Sequence, residues 1–208
     1  MKLYYHPASY NSRRVLAVAY ECGAELELQV CDILSGEQRS PAFLQLNPNG
    51  RVPVLADGAF TLWESAAIAQ YLASTQRSSL LPESAQGLAD VTRWQAWDLA
   101  HLGRAADVFL FENVVRGLFG LGAPQQAALD QAAGAWTAAL AVLDSHLRGR
   151  PFVTGEQLTI ADFTLAGSYA SGKGCGAPVG TFADVERWFS NIEQRPSWQR
   201  AQMAGQAA

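Results

Sequence analysis

Hydrophobic residues recur at short, changing intervals over the first 80 residues, a pattern that predicts a small unit of strands and helices. Leu3-Tyr4-Tyr5 is typical of a short strand, and apolar–polar alternation over residues 26–30 predicts a half-exposed second strand. Between them, apolar residues at helical spacing stop at Gly23, a residue suited to a helix C-terminus. Similar signals predict a short helix at 41–46, a hairpin of strands at 52–55 and 60–62, and a helix at 64–72. The resulting order, βαβ followed by αββα, predicts a mixed sheet with helices packed against it.

Beyond residues 77–87 the strand signals stop, and long Ala- and Leu-rich stretches follow. Their periodicity predicts helices over residues 91–119, 125–147, from 159 onward and 182–194, with a short last turn after Pro196. Thr159 and Asp162 have the spacing of a capping box at the third of these helices. We therefore predict an α/β domain over residues 1–78 and an all-α domain over residues 86–208.

Composition narrows the class of function without indicating one. The chain has 208 residues, a net charge of -4 and a pI near 5.3, so no basic surface is available for nucleic acid or anionic lipid. We expect no membrane span, because no run of about 18 apolar residues occurs. The first residues carry one Lys and then turn polar, which is not typical of a signal peptide. The three cysteines (Cys22, Cys31 and Cys175) form no CxxC motif, which favours a reducing, cytoplasmic compartment.

The dipeptide Val52-Pro53 interrupts an apolar run that otherwise predicts a strand. Proline has no N–H for a sheet ladder, so it must lie at an edge or at the end of the strand. A cis peptide bond is a further possibility at this position. In either case the backbone of Val52 is left available to pair with an extended ligand, as in peptide capture by strand addition.

Two polar clusters stand where a strand gives way to a helix. Ser9, Asn11 and Ser12 precede the first helix, and one of them is expected to cap it. A hydroxyl at a helix N-terminus is also well placed to stabilise an anion such as a thiolate. Glu64 and Ser65 open the helix after the hairpin; they are suited either to capping or to holding the charged groups of an amino acid.

Four motifs connect these fragments and extend over nearly the whole chain: HPASYNSRRV, GEQRSPAFLQLNPNGRVPVL, LWESAAIAQYLA and LTIADF. In their order and spacing the sequence resembles the cytosolic glutathione S-transferase family. Within it, the sequence is most similar to the serine type, represented by the plant phi class and its bacterial relatives. The resemblance implies a thioredoxin-like first domain and a helical second domain with a pocket for an apolar electrophile. It also implies glutathione as co-substrate, a role in detoxification, and a cytoplasmic homodimer.

The resemblance also implies individual roles. Ser9 is expected to hydrogen-bond the glutathione sulfur and to act as the catalytic residue. Val52, followed by a Pro53 that is cis in the family, is expected to pair with the cysteinyl unit through its backbone. The two ends of the tripeptide are expected to bind Gln38, Arg39 and Arg51 at the glycine carboxylate, and Glu64 and Ser65 at the γ-glutamyl group.

Other readings stay open at this point. Tyr5 is the alternative to Ser9, since other members of the family use a tyrosine near the end of the first strand. Asn49 stands where many relatives have an aromatic residue at the subunit contact, so a more polar contact is expected. His6 is expected in a solvated loop and His101 in a core or interface; neither has a ligand-spaced partner, so no metal site is expected. The alternative functions are a glutathione-dependent disulfide reductase or peroxidase, and a non-catalytic ligand-binding module.

Overall fold

The computed structural model describes residues 1–204 and divides into two compact units. The sheet unit comprises Met1–Leu81 together with residues 193–204, and the helical unit comprises Pro82–Ile192. The predicted fold class is confirmed, since one unit is a mixed sheet with helices and the other is all helical. The grouping places the last helix with the sheet unit, whereas the sequence suggested it as the end of the second domain.

A four-stranded sheet in the order β2-β1-β3-β4 organises the sheet unit. Its strands are β1 (Lys2–Tyr5), β2 (Glu27–Val30), β3 (Val54–Asp57) and β4 (Phe60–Trp63). β1 pairs parallel with β2, while β3 lies antiparallel to both β1 and β4. All four residues of β2 are exposed, more than the alternating pattern predicted, because β2 is an edge strand.

The helices of the sheet unit are α1 (Tyr10–Glu21), α2 (Pro41–Leu46), α3 (Ser65–Thr75) and α10 (Pro196–Met203), with a 3-10 turn at Glu37–Arg39. α1 ends at Glu21, two residues before Gly23, whose φ of 73° is the left-handed conformation expected after a helix. α1 packs on α3, which in turn contacts β3 and β4. On the α2 side, Tyr4 meets Phe43 edge to face with ring centroids 6.2 Å apart.

The last helix, α10, packs along α1. Glu21 at the end of α1 accepts hydrogen bonds from Arg195 and Ser197 at the start of α10. The guanidinium of Arg200 lies over the ring of Tyr20, 4.0 Å from its centroid. These contacts, together with the buried side chain of Trp198, give the short C-terminal helix a fixed position on the sheet unit.

One long, nearly continuous helix opens the helical unit. It runs through α4 (Ala85–Trp97), a π-helical segment (Asp98–Leu102), α5 (Gly103–Leu110), a second π-helical segment (Phe111–Val115) and α6 (Arg116–Leu118). The helix begins at Ala85, six residues before the predicted start at residue 91, and ends at Leu118, one residue before the predicted end. The periodicity of the sequence gave no sign of the two π-helical segments. The remaining helices are α7 (Gln126–Leu147), α8 (Ile160–Gly174) and α9 (Ala183–Glu193).

The capping box predicted at the start of α8 is present. Asp162 is wholly buried and accepts hydrogen bonds from the backbone N–H of Thr159 (2.9 Å) and of Val153 (2.8 Å). The indole N–H of Trp188 donates a third bond to the same carboxylate at 2.9 Å. Burial raises the pKa of Asp162 to about 6, against the effect of these donors. Asp162 thereby connects α8, α9 and the segment at Val153, which precedes α8, in one buried polar cluster.

Candidate functional site

The register of the sheet brings the predicted site segments to one end of the strands. Tyr5 pairs with Val30, so the chain leaves β1 and β2 at the same end of the sheet. Tyr4 pairs with Val54, which in turn pairs with Trp63, so β3 begins and β4 ends there too. The segments that follow β1, β2 and β4, and the segment that precedes β3, therefore all lie at this end of the strands. Ser9 follows β1, Gln38 and Arg39 follow β2, Arg51 and Val52 precede β3, and Glu64 and Ser65 follow β4.

Ser9 is half-buried and is the N-cap of α1; its Oγ accepts a hydrogen bond from the N–H of Ser12 at 3.2 Å. A hydroxyl that accepts one bond keeps its own proton to donate. Within residues 1–204 the Ser9 hydroxyl donates no hydrogen bond. The capping role is thus confirmed, and the proton of the same hydroxyl is available to an anion at the positive end of the helix.

The loop before Ser9 is held by polar contacts of its own. The N–H of His6 donates to the Oγ of Ser12 at 3.3 Å, and Nδ1 of His6 accepts from the N–H of Ala8 at 3.2 Å. His6 is half-buried rather than solvated, and burial lowers its pKa. These bonds fix the backbone that presents Ser9.

The Val52-Pro53 peptide bond is cis, as predicted. β3 begins only at Val54, directly after the proline. Within residues 1–204, neither the N–H nor the carbonyl of Val52 makes a hydrogen bond. The backbone of Val52 therefore retains both a donor and an acceptor, as pairing with an extended ligand requires.

The turn Asn47-Pro48-Asn49-Gly50 shapes the approach to Arg51 and Val52. Asn47 is buried; its side-chain amide donates to the carbonyl of Arg51 at 2.7 Å, and its Oδ1 accepts from the N–H of Asn49 at 3.0 Å. Gly50 has a φ of 59°, and a Cβ there would lie 2.9 Å from both the guanidinium of Arg39 and the carbonyl of Gln38. The turn therefore needs glycine for its conformation and for its space. Sequence reasoning identified the turn but missed the role of Asn47.

The three residues predicted for the glycine carboxylate differ in exposure and in hydrogen bonding. Arg39 and Arg51 are exposed, and Arg39 also donates to the carbonyl of Asn49 at 3.4 Å. Gln38 uses its side-chain N–H on the carbonyl of Ile33 at 3.1 Å, so its amide is directed into the protein. These two arginines can bind a carboxylate. Gln38 helps to hold the turn that carries Arg39.

Glu64 and Ser65 form the opposite end. Glu64 is exposed and has a φ of 72°, a conformation that costs a non-glycine residue about 1–3 kcal/mol. Its side chain does not cap α3, and within residues 1–204 no other side chain accepts a hydrogen bond from the first N–H groups of that helix. Ser65 is buried, and the Nε of Arg14 donates to its hydroxyl at 2.9 Å. An exposed carboxylate beside free helix N–H groups suits a ligand that carries both an ammonium and a carboxylate.

The aromatic residues predicted beside the electrophile differ in exposure. Phe109 is buried in the core of the helical unit against Trp136, whereas Phe111 and Phe119 are exposed. Trp97 lines a cleft of about 470 Å³ between the long helix and α7, in which alanine is the commonest lining residue. His101 is exposed in the same cleft rather than buried in a core.

Residues 1–204 show neither a metal centre nor a membrane span. No group of three or more His, Cys, Asp and Glu side chains in this range is placed to hold a metal ion. No helix in this range has both the length and the apolar character to cross a bilayer. All three cysteines are free thiols.

Comparison with known proteins identifies the family. Residues 1–74 match the family model for the glutathione S-transferase N-terminal domain, and residues 126–170 match a model for the C-terminal domain. The chain is 33% identical over 209 residues to glutathione S-transferase 3 of Zea mays, covering 96% of this chain and 92% of that protein. A possible glutathione S-transferase from Rhodopseudomonas palustris has a crystal structure 33% identical to this chain, with a TM-score of 0.84 and coverage of 94% and 87%. The theta-class enzyme of Xanthomonas axonopodis pv. citri, solved with glutathione bound, is 26% identical, with a TM-score of 0.87 and coverage of 97% and 96%.

The chain therefore belongs to the glutathione S-transferase family. This confirms the predicted family, the thioredoxin-like fold of the sheet unit, and the glutathione transferase class of enzyme.

Proposed function

We propose that this protein conjugates the glutathione thiolate to an apolar electrophile, with the Ser9 hydroxyl as the donor that stabilises the thiolate. The observation that carries the proposal is the arrangement of the candidate site residues at one end of the strands. There the available Ser9 proton, the unpaired backbone of Val52, two exposed arginines and the exposed Glu64 come together. A hydrogen bond to the charged form and the positive end of α1 both lower the pKa of a thiol from its usual value of about 8.5. More nucleophile is then present at neutral pH.

Glutathione has a carboxylate at its glycine end and both an ammonium and a carboxylate at its γ-glutamyl end. In the proposed complex, Arg39 and Arg51 bind the glycine carboxylate. The N–H and carbonyl of Val52 pair with the cysteinyl unit. Glu64 binds the ammonium, and the N–H groups at the start of α3, beginning at Ser65, bind the γ-glutamyl carboxylate. Gln38 supports the glycine end indirectly, because its bond to the carbonyl of Ile33 helps to hold the turn that carries Arg39.

The environment of Tyr5 favours Ser9 over this tyrosine. Tyr5 is buried in the core of the sheet unit, with 7% of its surface exposed. Ser9 is half-buried, and its hydroxyl makes no hydrogen bond as a donor within residues 1–204. A ligand sulfur can therefore reach the Ser9 hydroxyl more readily than the phenol of Tyr5.

An activity panel tests the reaction class: turnover with aryl halides, disulfides and peroxides, each with glutathione. We expect the aryl halides to be the best substrates. Dominant turnover of disulfides or peroxides would contradict the proposed conjugation.

We further propose a cytoplasmic homodimer of about 45 kDa, twice the chain mass of 22.4 kDa. The open cleft of the helical unit supports an interface there, since it exposes Val142 beside Trp97 and Val108. The polar, exposed Asn49 is consistent with the more polar contact expected from the sequence. The free thiols support a reducing compartment. Light scattering that gives the monomer mass at micromolar concentration would contradict the dimer.

A further inference from the structure

Arg14 is a buried cation that connects the N-terminal ends of α1 and α3. Only 3% of its surface is exposed, although arginine is rarely buried to this degree. It lies on α1, five residues after Ser9, and its Nε donates to the Ser65 hydroxyl on α3 at 2.9 Å. The same guanidinium donates to Oδ1 of Asn11, and its centre lies 5.2 Å from the centroid of the Tyr10 ring.

A third bond closes this cluster. The Ser65 hydroxyl donates to Oδ1 of Asn11 at 3.2 Å while it accepts from Arg14. Its proton is therefore used inside the protein and is not available to a ligand. At this residue, a ligand carboxylate meets the backbone N–H of Ser65 rather than its side chain.

The cluster also stabilises the conformation of Glu64. A non-glycine residue at a φ of 72° keeps this conformation only where its surroundings impose it. Ser65, the next residue, is held by Arg14 and Asn11, both of which belong to α1. The bonds therefore connect the turn that presents Glu64 to the helix that Ser9 caps.

We infer that Arg14 is a positioning residue for the γ-glutamyl end of the site. It sets Ser65, and with it Glu64 and the first N–H groups of α3, at a fixed place relative to α1. This inference rests on the proposed binding of glutathione. It predicts that loss of the Arg14 fork weakens glutathione binding without changing the stabilisation of the thiolate by Ser9.

The test is the steady-state kinetics of Arg14→Lys, with glutathione varied against saturating chlorodinitrobenzene. Lysine keeps the charge but loses the planar fork that reaches two acceptors. We expect KM for glutathione to rise about tenfold, the lower end of what one hydrogen bond to a charged group provides. We expect kcat to change less than about twofold and the pKa of the bound thiol to stay as in the wild type. A merely structural role would lower thermal stability without this separation of KM from kcat.

The matched control is Arg13→Lys. Arg13 is the neighbouring, half-buried arginine, and its Nε makes no hydrogen bond within residues 1–204. We expect its KM for glutathione to match the wild type.

A double-mutant cycle of Arg14→Lys with Ser65→Ala isolates the connection between the two residues. The double variant is expected to raise KM no further than the larger single effect, because both changes break the same bond. If Arg14→Lys does not fold, Asn11→Ala replaces it, since it removes the acceptor that Arg14 and Ser65 share.

The outcomes separate the two proposals. A wild-type protein that does not bind glutathione in calorimetry overturns both. Wild-type binding with a KM within about twofold in Arg14→Lys, or in the replacement variant Asn11→Ala, overturns the role of Arg14 alone. Fully multiplicative effects in the cycle overturn the proposed path through Ser65.

Discussion

Replacing Ser9 with alanine removes both functions of one hydroxyl: the cap of α1 and the proposed bond to the glutathione sulfur. The two effects differ in what they change. Loss of the cap bond to the N–H of Ser12 lowers the free energy of unfolding by about 1 kcal/mol. Loss of a hydrogen bond to a thiolate removes about 1.5–3 kcal/mol from the charged form, which raises the thiol pKa by about one to two units.

Turnover at neutral pH should therefore fall about tenfold to a hundredfold in Ser9→Ala. Glutathione affinity should change little, because the tripeptide is held mainly at its two ends. The assay is a pH titration of thiolate absorbance with saturating glutathione, read beside kcat at neutral pH. If Ser9→Ala keeps the wild-type thiol pKa while Tyr5→Phe raises it, the stabilising hydroxyl belongs to Tyr5.

Ser84→Ala is the matched control for the cap. Ser84 caps α4 through the same kind of bond, from its Oγ to the N–H of Gly87 at 3.1 Å. Both variants should lose similar stability in thermal denaturation. Only Ser9→Ala should raise the thiol pKa, so the comparison separates chemistry from folding.

Two further predictions concern Glu64 and Glu21. Glu64→Gly should bind glutathione about tenfold more weakly by calorimetry, because a charge-assisted bond is lost. The same variant should be more stable in urea denaturation by about 1 kcal/mol, because glycine accepts a φ of 72° without strain. A variant that keeps wild-type affinity would contradict the role of Glu64. Burial favours the neutral form of Glu21, but the bonds from Arg195 and Ser197 outweigh it and lower its pKa. Because the folded-state pKa is the lower one, the stabilisation is present above the unfolded value of about 4.5 and is lost as pH falls through the folded-state value. Urea denaturation should accordingly show Glu21→Gln less stable than the wild type by about 1–2 kcal/mol at pH near 7, with the difference shrinking in acid; a gap independent of pH would contradict this reading.

Local patterns in the sequence determined much of the secondary structure of this protein. Helical and strand periodicity predicted the elements, because a side chain's face depends only on its neighbours a few residues away. Thr159 was predicted as a helix cap, and one of Ser9, Asn11 and Ser12 was predicted to cap the first helix, since a cap bonds backbone groups within three residues. The proline after Val52 predicted the end of strand pairing, and the four motifs predicted the family.

Tertiary structure decided which of these segments meet. Arg14 and Ser65 are 51 residues apart, and nothing local to either indicates their bond. Glu21 and Arg195 are 174 residues apart, so the placement of the last helix on α1 was outside the reach of any periodicity. Such contacts depend on sheet register and helix packing, which bring distant residues together only once the whole sheet unit has formed. The sequence by itself predicted Ser9, Val52 and Glu64 as candidate site residues, whereas only the fold shows that Arg14 and Asn11 hold Ser65 in place.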